Sequence, residues 1–274
     1  MIRRRPLLSL PAAWGLGASL ATSPALAQGR KDSLVLAMTL EPPGLDPTTG
    51  AAAAIGEVVL YNLLETLTRI RPDGSIGPLL AQRWTVTPDN KTWAFHLREG
   101  VRFHNGEPFN AQTVKYAFER AAAPDSLNKD KAVYANIVNI AATDAHTVVI
   151  TLKNVNPDFL FQLGQATGVI VEPRSAAGNA TQPVGTGPYR LDSWAKGAQI
   201  VLSRWDGHRD AAALKLRRVS FRFINDAAAQ VAALLAGDVD LFHAWRRRAH
   251  CRSFAPTGGF RCWWAARGPR PSWP

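Results

Sequence analysis

Few residues in this sequence have the type and spacing to do chemistry. His96 and His104 stand eight apart beside short apolar runs, with no clustered partners that complete a zinc or iron ligand set. They read as exposed strand-face residues. No Cys occurs between Gln28 and Phe242, which excludes thiol nucleophiles, zinc fingers and a disulfide framework from that stretch. A G-x-S-x-G elbow is missing, and the carboxylates are scattered without an evident pair. Gly185-Thr186-Gly187-Pro188 has a superficial look of a phosphate loop. It lacks the glycine spacing, however, and no Lys-Ser or Lys-Thr follows it. It reads instead as a tight turn into Tyr189-Arg190-Leu191, with Gly185 and Gly187 serving backbone freedom. No enzyme, cofactor or metal site is expected.

The elements around these residues are more informative. From Pro78 to Arg120 the sequence spells an antiparallel ribbon that feeds a helix. Trp84 and Val86 alternate with polar neighbours, and Pro88-Asp89-Asn90-Lys91 turns the chain. Trp93, Phe95 and Leu97 then share one face, while Ala94, His96 and Arg98 share the other. Val101 and Phe103 predict a short third strand ended by Asn105-Gly106. Asn110 is placed to cap a helix whose inner face carries Val114, Ala117, Phe118 and Ala121. Elsewhere, Ser33–Met38 reads as a buried strand, and Glu41 to Pro47 as an extended stretch fixed by three prolines and a glycine. Ala51–Leu67 and Ala132–Ile140 have helical spacing, and Ala145–Leu152 alternates as a strand. Val169-Ile170-Val171, Ile200-Val201-Leu202 and Val219–Ile224 predict three more strands. Ala227–Ala236 reads as a helix with Val231, Leu234 and Leu235 inward and Gly237 as its stop, and Asp238–Leu241 as a returning strand.

The run from Leu80 to Phe109, LA-x-x-W-x-x-x-x-D-x-x-T-W-x-F-x-L-R-x-G-V-x-F-H-x-G-x-P-F, resembles the signature of family 5 solute-binding proteins of ABC importers. Leu45-Asp46-Pro47, Tyr61–Leu67 and Val184–Tyr189 agree with it in order. The resemblance implies an α/β, periplasmic-binding-protein-like (type II) two-lobed fold, here incomplete. One lobe would come from 28–50 and 178–242, with 51–177 as an accessory sub-domain. It also implies capture of a small peptide or related solute, delivery to membrane permease subunits, and action as a monomer in the periplasm. The segment after the first strand borders the cleft in this family, so Glu41, Pro42, Pro43 and Gly44 become candidate ligand neighbours. Tyr61 is either core or a cleft hydroxyl, with core favoured.

The formal net charge of +11 at first suggests a nucleic-acid or membrane-surface protein. Its distribution argues otherwise. Arg3, Arg4 and Arg5 are the only charges in 1–27, and seven Arg with no acid occupy 244–274, leaving 22 basic against 21 acidic groups between them. Residues 1–27 read as an export signal, with an apolar stretch from Leu7 to Ala21 and Ala25-Leu26-Ala27 before Gln28. Arg4-Arg5 leaves Sec and twin-arginine routes both open. Past Phe242 the periodicity ends. Residues 243–274 are either a basic aromatic tail suited to an anionic surface or an out-of-frame reading, and the second is favoured. The resemblance implies that the opposing lobe, with much of the ligand-reading surface, comes from a half not found here. The chain as given is therefore expected to bind solute weakly or not at all, and no nucleic-acid partner is expected. The alternatives are a truncated, non-functional fragment and a secreted module with an anion-binding tail.

Overall fold

A computed structural model describes residues 31–242. The expected export signal over 1–27 and the tail over 243–274 lie outside the described residues. Strand β1 (Ser33–Met38) is an apolar run that ends, as three prolines dictate, in an irregular loop. Helix α1 (Ala53–Val59) follows, then the short strands β2 (Thr68–Ile70) and β3 (Ile76–Pro78). Strands β4 (Ala81–Val86) and β5 (Thr92–Leu97) form the expected ribbon, turned at Asn90, which adopts a φ of 56°. Helix α2 (Ala111–Ala122) starts where the sequence places it. Asn110 Oδ1 accepts from Gln112 N and Thr113 N, and Thr113 Oγ1 accepts from Asn110 N in return. Then come α3 (Lys131–Ala135), β6 (Ile137–Ala142), β7 (Thr147–Leu152) and α4 (Phe159–Gln162). The last part holds β8 (Tyr189–Ala195), β9 (Gln199–Arg204), β10 (Arg218–Phe223), α5 (Ala227–Ala236) and β11 (Leu241–Phe242). Among the described residues no helix is long and apolar enough to cross a membrane.

Two larger sheets result. One is antiparallel, in the order β4-β5-β7-β6; the other is mixed, in the order β11-β1-β10-β9-β8. In the mixed sheet β1 lies parallel to both β10 and β11, while β9 and β8 add antiparallel strands. The connection from β10 through α5 to β11 therefore passes over β1. Strand β1 is covered on both faces, which explains its nearly continuous apolar sequence. Ala37 packs with Leu234 and Val239 on the α5 side, whereas Met38 joins the main core. That core runs without a break from Trp93, Phe95 and Phe118 of the antiparallel part to Ile200, Leu202 and Phe221 of the mixed sheet.

Several expectations need correction. The helix over Ala51–Leu67 stops at Val59. Tyr61 takes a φ of 60°, and Asn62 Nδ2 bonds back to the Val58 carbonyl. Beyond it Leu63, Leu64, Glu65, Thr66 and Leu67 are all buried, so apolar spacing carries no helical information there. The carbonyls of Glu65 and Thr66 instead accept from Ile170 N and Leu80 N. Likewise, Ile137–Ala142 is strand rather than helix, pairing with β7. Val101 and Phe103 make a single bridged turn around Arg102 and Pro108, and Val169 a lone bridge to Thr66, where strands were expected. In α5, Leu234 is buried but Leu235 is 56% exposed, and Gln230 takes an inward position. Asn110→Ala should lower stability by about 1 kcal/mol, read as a shift of the urea midpoint at unchanged slope.

Candidate functional site

The parallel strands β1 and β10 end side by side at Met38 and Phe223, and β11 ends beside them at Phe242. In open α/β sheets the crevice outside such carboxyl ends, where connections diverge, is where ligands bind. Here β1 sends its chain one way, through Thr39–Asp46, while β10 sends its own the other way into α5. The edge is tied together by Ile224 N donating to Met38 O at 2.8 Å, and by Gln230 Nε2 donating to Thr39 Oγ1 at 3.2 Å. Asp226 caps α5 by accepting from Ala229 N at 2.7 Å.

Four of the five candidate residues lie on this loop. Glu41 accepts from Trp194 Nε1 at 2.8 Å and from Gly197 N at 2.9 Å. Pro42 is buried, Pro43 exposed and Gly44 half-buried. Leu45 N donates to Ala180 O at 2.9 Å, and a Cβ on Gly44 would also touch that carbonyl. The loop closes on Asp46, which is buried against Arg120 at 2.7 Å and accepts from Thr48. Tyr61 stands elsewhere. Its hydroxyl donates to Gly164 O at 2.6 Å and accepts from Ile70 N at 3.0 Å, with Arg69 over its ring. That hydroxyl cross-links the chain, and the residue is half-buried rather than packed within either hydrophobic core cluster.

At the opposite end of the mixed sheet, where β8 begins and β9 ends, is a polar knot that sequence reasoning missed. Glu65 is buried, and its carboxylate accepts from Arg209 Nη1 at 2.8 Å, Arg209 Nη2 at 2.6 Å and Thr186 Oγ1 at 2.9 Å. Burial pushes its pKa up, but the Arg209 guanidinium and nearby His208 pull it further down, so it stays below the ordinary carboxylate value. With three donors on it, Glu65 is poorly placed to act as a base. Thr186 belongs to the Gly185–Pro188 turn, whose glycines have a reason other than backbone freedom. Neither has a positive φ; a Cβ on Gly185 would run into Leu63 O, and one on Gly187 into Asn62 O.

His104 fastens the same turn, which corrects its reading as an exposed strand residue. Gly185 N donates to its Nδ1 at 3.3 Å, and its Nε2 donates to Gly187 O at 3.0 Å. Both contacts hold only for a neutral ring with the proton on Nε2. The ring packs edge-on against Trp205, with centroids 4.9 Å apart. Burial lowers its pKa to about 4, although the bond to Gly187 opposes the shift. His96, by contrast, is half-exposed on the outer face of β5. Among the described residues no group of three or more His, Cys, Asp or Glu is placed to hold a metal ion.

A mixed sheet around a central parallel strand, with a loop cluster at its carboxyl edge and an accessory antiparallel sheet, defines half of a periplasmic-binding-protein-like fold. The chain belongs to the bacterial extracellular solute-binding proteins, family 5: residues 75–247 match the family description "family 5 Middle". It is 32% identical over 231 residues to the glutathione-binding protein GsiB of Salmonella typhi, covering 83% of this chain and 44% of that protein. The murein tripeptide binding protein MppA of Escherichia coli superposes with a TM-score of 0.74 at 25% identity, over 84% of this chain and 49% of the other. A nickel ABC transporter structure from Bacillus halodurans gives 0.71 at 30% identity, over 82% and 46%. The chain thus spans less than half the length of these relatives, which are solute-binding proteins rather than enzymes.

The neutral His104 makes stability depend on pH. The unfolded ring protonates near 6.5 and the folded ring only near 4, so protons favour the unfolded chain between those values. The contribution of this ring is expected to be full well above pH 6.5 and to fall by roughly 3 kcal/mol as pH drops to about 4. Urea midpoints at pH 7 and pH 4 should therefore differ less in His104→Gln than in the parent chain, whatever the variant's stability at pH 7.

Proposed function

We propose that this chain is the solute-binding component of an ABC importer for peptide-like solutes. In this reading the lobe built from 28–50 and 178–242 presents the loop Thr39–Gly44 to solute. Residues 51–177 form the accessory sub-domain behind it. Export through the segment 1–27, by the Sec or twin-arginine route, would deliver the protein to the periplasm. There it would act as a monomer that hands its cargo to membrane permease subunits.

The observation that carries this reading is the carboxyl edge of β1 and β10, where an irregular loop is anchored at several points yet keeps Leu40 67% exposed. A loop ordered by its own chain and open to solvent is what solute recognition requires, because its entropy is already lost before binding. Peptides are favoured as cargo because GsiB is described as binding glutathione and MppA as binding a murein tripeptide. The described edge is a single wall. Closure on a ligand stabilises a complex only as far as the closed state makes better contacts, and one wall offers few.

Calorimetry of the full chain with glutathione, dipeptides and a murein-type tripeptide tests this. Saturable binding is expected in the micromolar-to-millimolar range, about −8 to −4 kcal/mol. No heat from any peptide at millimolar concentration overturns the peptide reading, and submicromolar binding overturns the single-wall account.

A further inference from the structure

Glu41 is acidic and lies next to the exposed lip of the solute-facing loop, so a role in gripping a solute ammonium is the obvious assignment. The geometry points elsewhere. Both carboxylate oxygens already have donors from the β8–β9 hairpin: Oε1 takes the Trp194 indole at 2.8 Å, and Oε2 takes the Gly197 amide at 2.9 Å. We propose that Glu41 is the positioning residue of the loop leaving β1, with its charge engaged by this hairpin and the loop's solute contacts left to neighbouring groups. This rests on the reading of Thr39–Gly44 as the solute-facing loop.

The hairpin is built to receive that carboxylate. Strand β8 pairs Leu191 with Leu202, then skips a residue so that Trp194, rather than Ser193, faces Ile200. Such a bulge inverts which side chains point inward. Without it, Ser193 would occupy the inner face and the indole would point outward, away from Glu41. With it, Trp194 packs against the main core, which fixes where its N–H points. Gly197 sits in the turn at a φ of 73°, a conformation glycine adopts at little cost. Lys196 lies 3.0 Å from the Trp194 ring centroid, bringing its positive charge to the same cluster. The turn is fastened to the parallel edge as well, since Phe223 N donates to Ala198 O at 2.8 Å. Glu41 therefore links the loop after β1 to a hairpin that is itself fixed to β10.

Three readouts test this on the full chain and on Glu41→Ala, Trp194→Phe and the double variant. These are amide exchange at Gly197 and across 39–44, the Trp194 indole N–H resonance, and glutathione affinity by titration. In Glu41→Ala, exchange at Gly197 should be roughly tenfold faster, as expected for loss of one hydrogen bond to a charged group. The indole resonance should move as its acceptor disappears. Exchange across 39–44 should rise in both single variants, affinity should fall in both, and the double variant should be no worse than Glu41→Ala. Glu41→Gln, whose amide oxygen still accepts from Trp194, should restore the indole resonance but not the protection of Gly197.

Unchanged exchange across 39–44 in Glu41→Ala overturns the proposal. So does weakened glutathione binding in Glu41→Ala with Trp194→Phe as tight as the parent, because Glu41 would then be touching solute itself. If the parent chain binds no glutathione, faster loop exchange in both single variants upholds the positioning role while the peptide reading falls.

Discussion

The Glu65 carboxylate is where the architecture is most constrained. Its side chain is 3% exposed and paired with Arg209 at 2.6 Å. It reaches into three separated parts of the chain: its own segment after α1, the Gly185–Pro188 turn through Thr186, and the loop after β9 through Arg209. A buried ion pair of this kind is weak evidence for net stability, because desolvating two charges offsets much of their attraction. Losing one partner is a different matter, since the other is left as an uncompensated charge. Its consequence here is register: chain segments that carry Thr186 and Arg209 to any other place leave Glu65 buried without donors. The glycines of the turn add a steric condition to the electrostatic one, because Leu63 O and Asn62 O lie where their side chains would be.

Much of the fold could be read from the sequence where local rules and tertiary packing agree. The ribbon β4–β5, the cap at Asn110, the span of α5 and its stop at Gly237 all follow from alternation, turn chemistry and capping. Reading failed where burial was total. Leu63 to Leu67 and Val169 to Val171 are enclosed on every side, so their apolar spacing reflects neither a helical stripe nor a strand face. The partners of their backbone groups decide instead, and those partners lie about a hundred residues away: Ile170 N meets Glu65 O, and Gly187 N meets Leu63 O.

The site was legible in part for a related reason. The prolines after β1 mark an irregular loop, and the family resemblance places that loop beside a cleft, so Glu41 to Gly44 could be singled out. What Glu41 touches could not be, because its partners Trp194 and Gly197 are more than 150 residues distant. His104 and Glu65 stand in runs that carry the family resemblance, but nothing in those runs says what either side chain touches, and Arg209 gave no signal. Each is an ordinary polar residue until the fold brings them around one turn, and a single sequence holds no record of such pairings.

These two polar centres divide the work differently. At Glu65 a full charge pair is sealed inside, where rearrangement would expose an uncompensated ion, and the segments it joins are held in one arrangement. At Glu41 the donors are an indole and a peptide amide, and the carboxylate is only half-buried. A bond of that kind orders a loop without fixing it as firmly, since water can replace either donor at modest cost. Rigid anchoring of the scaffold thus goes together with softer anchoring of the loop at the sheet's carboxyl edge. The bulge in β8 connects the two levels. It turns one aromatic side chain inward, so the same residue packs against the scaffold's core and sets the position of the loop outside it.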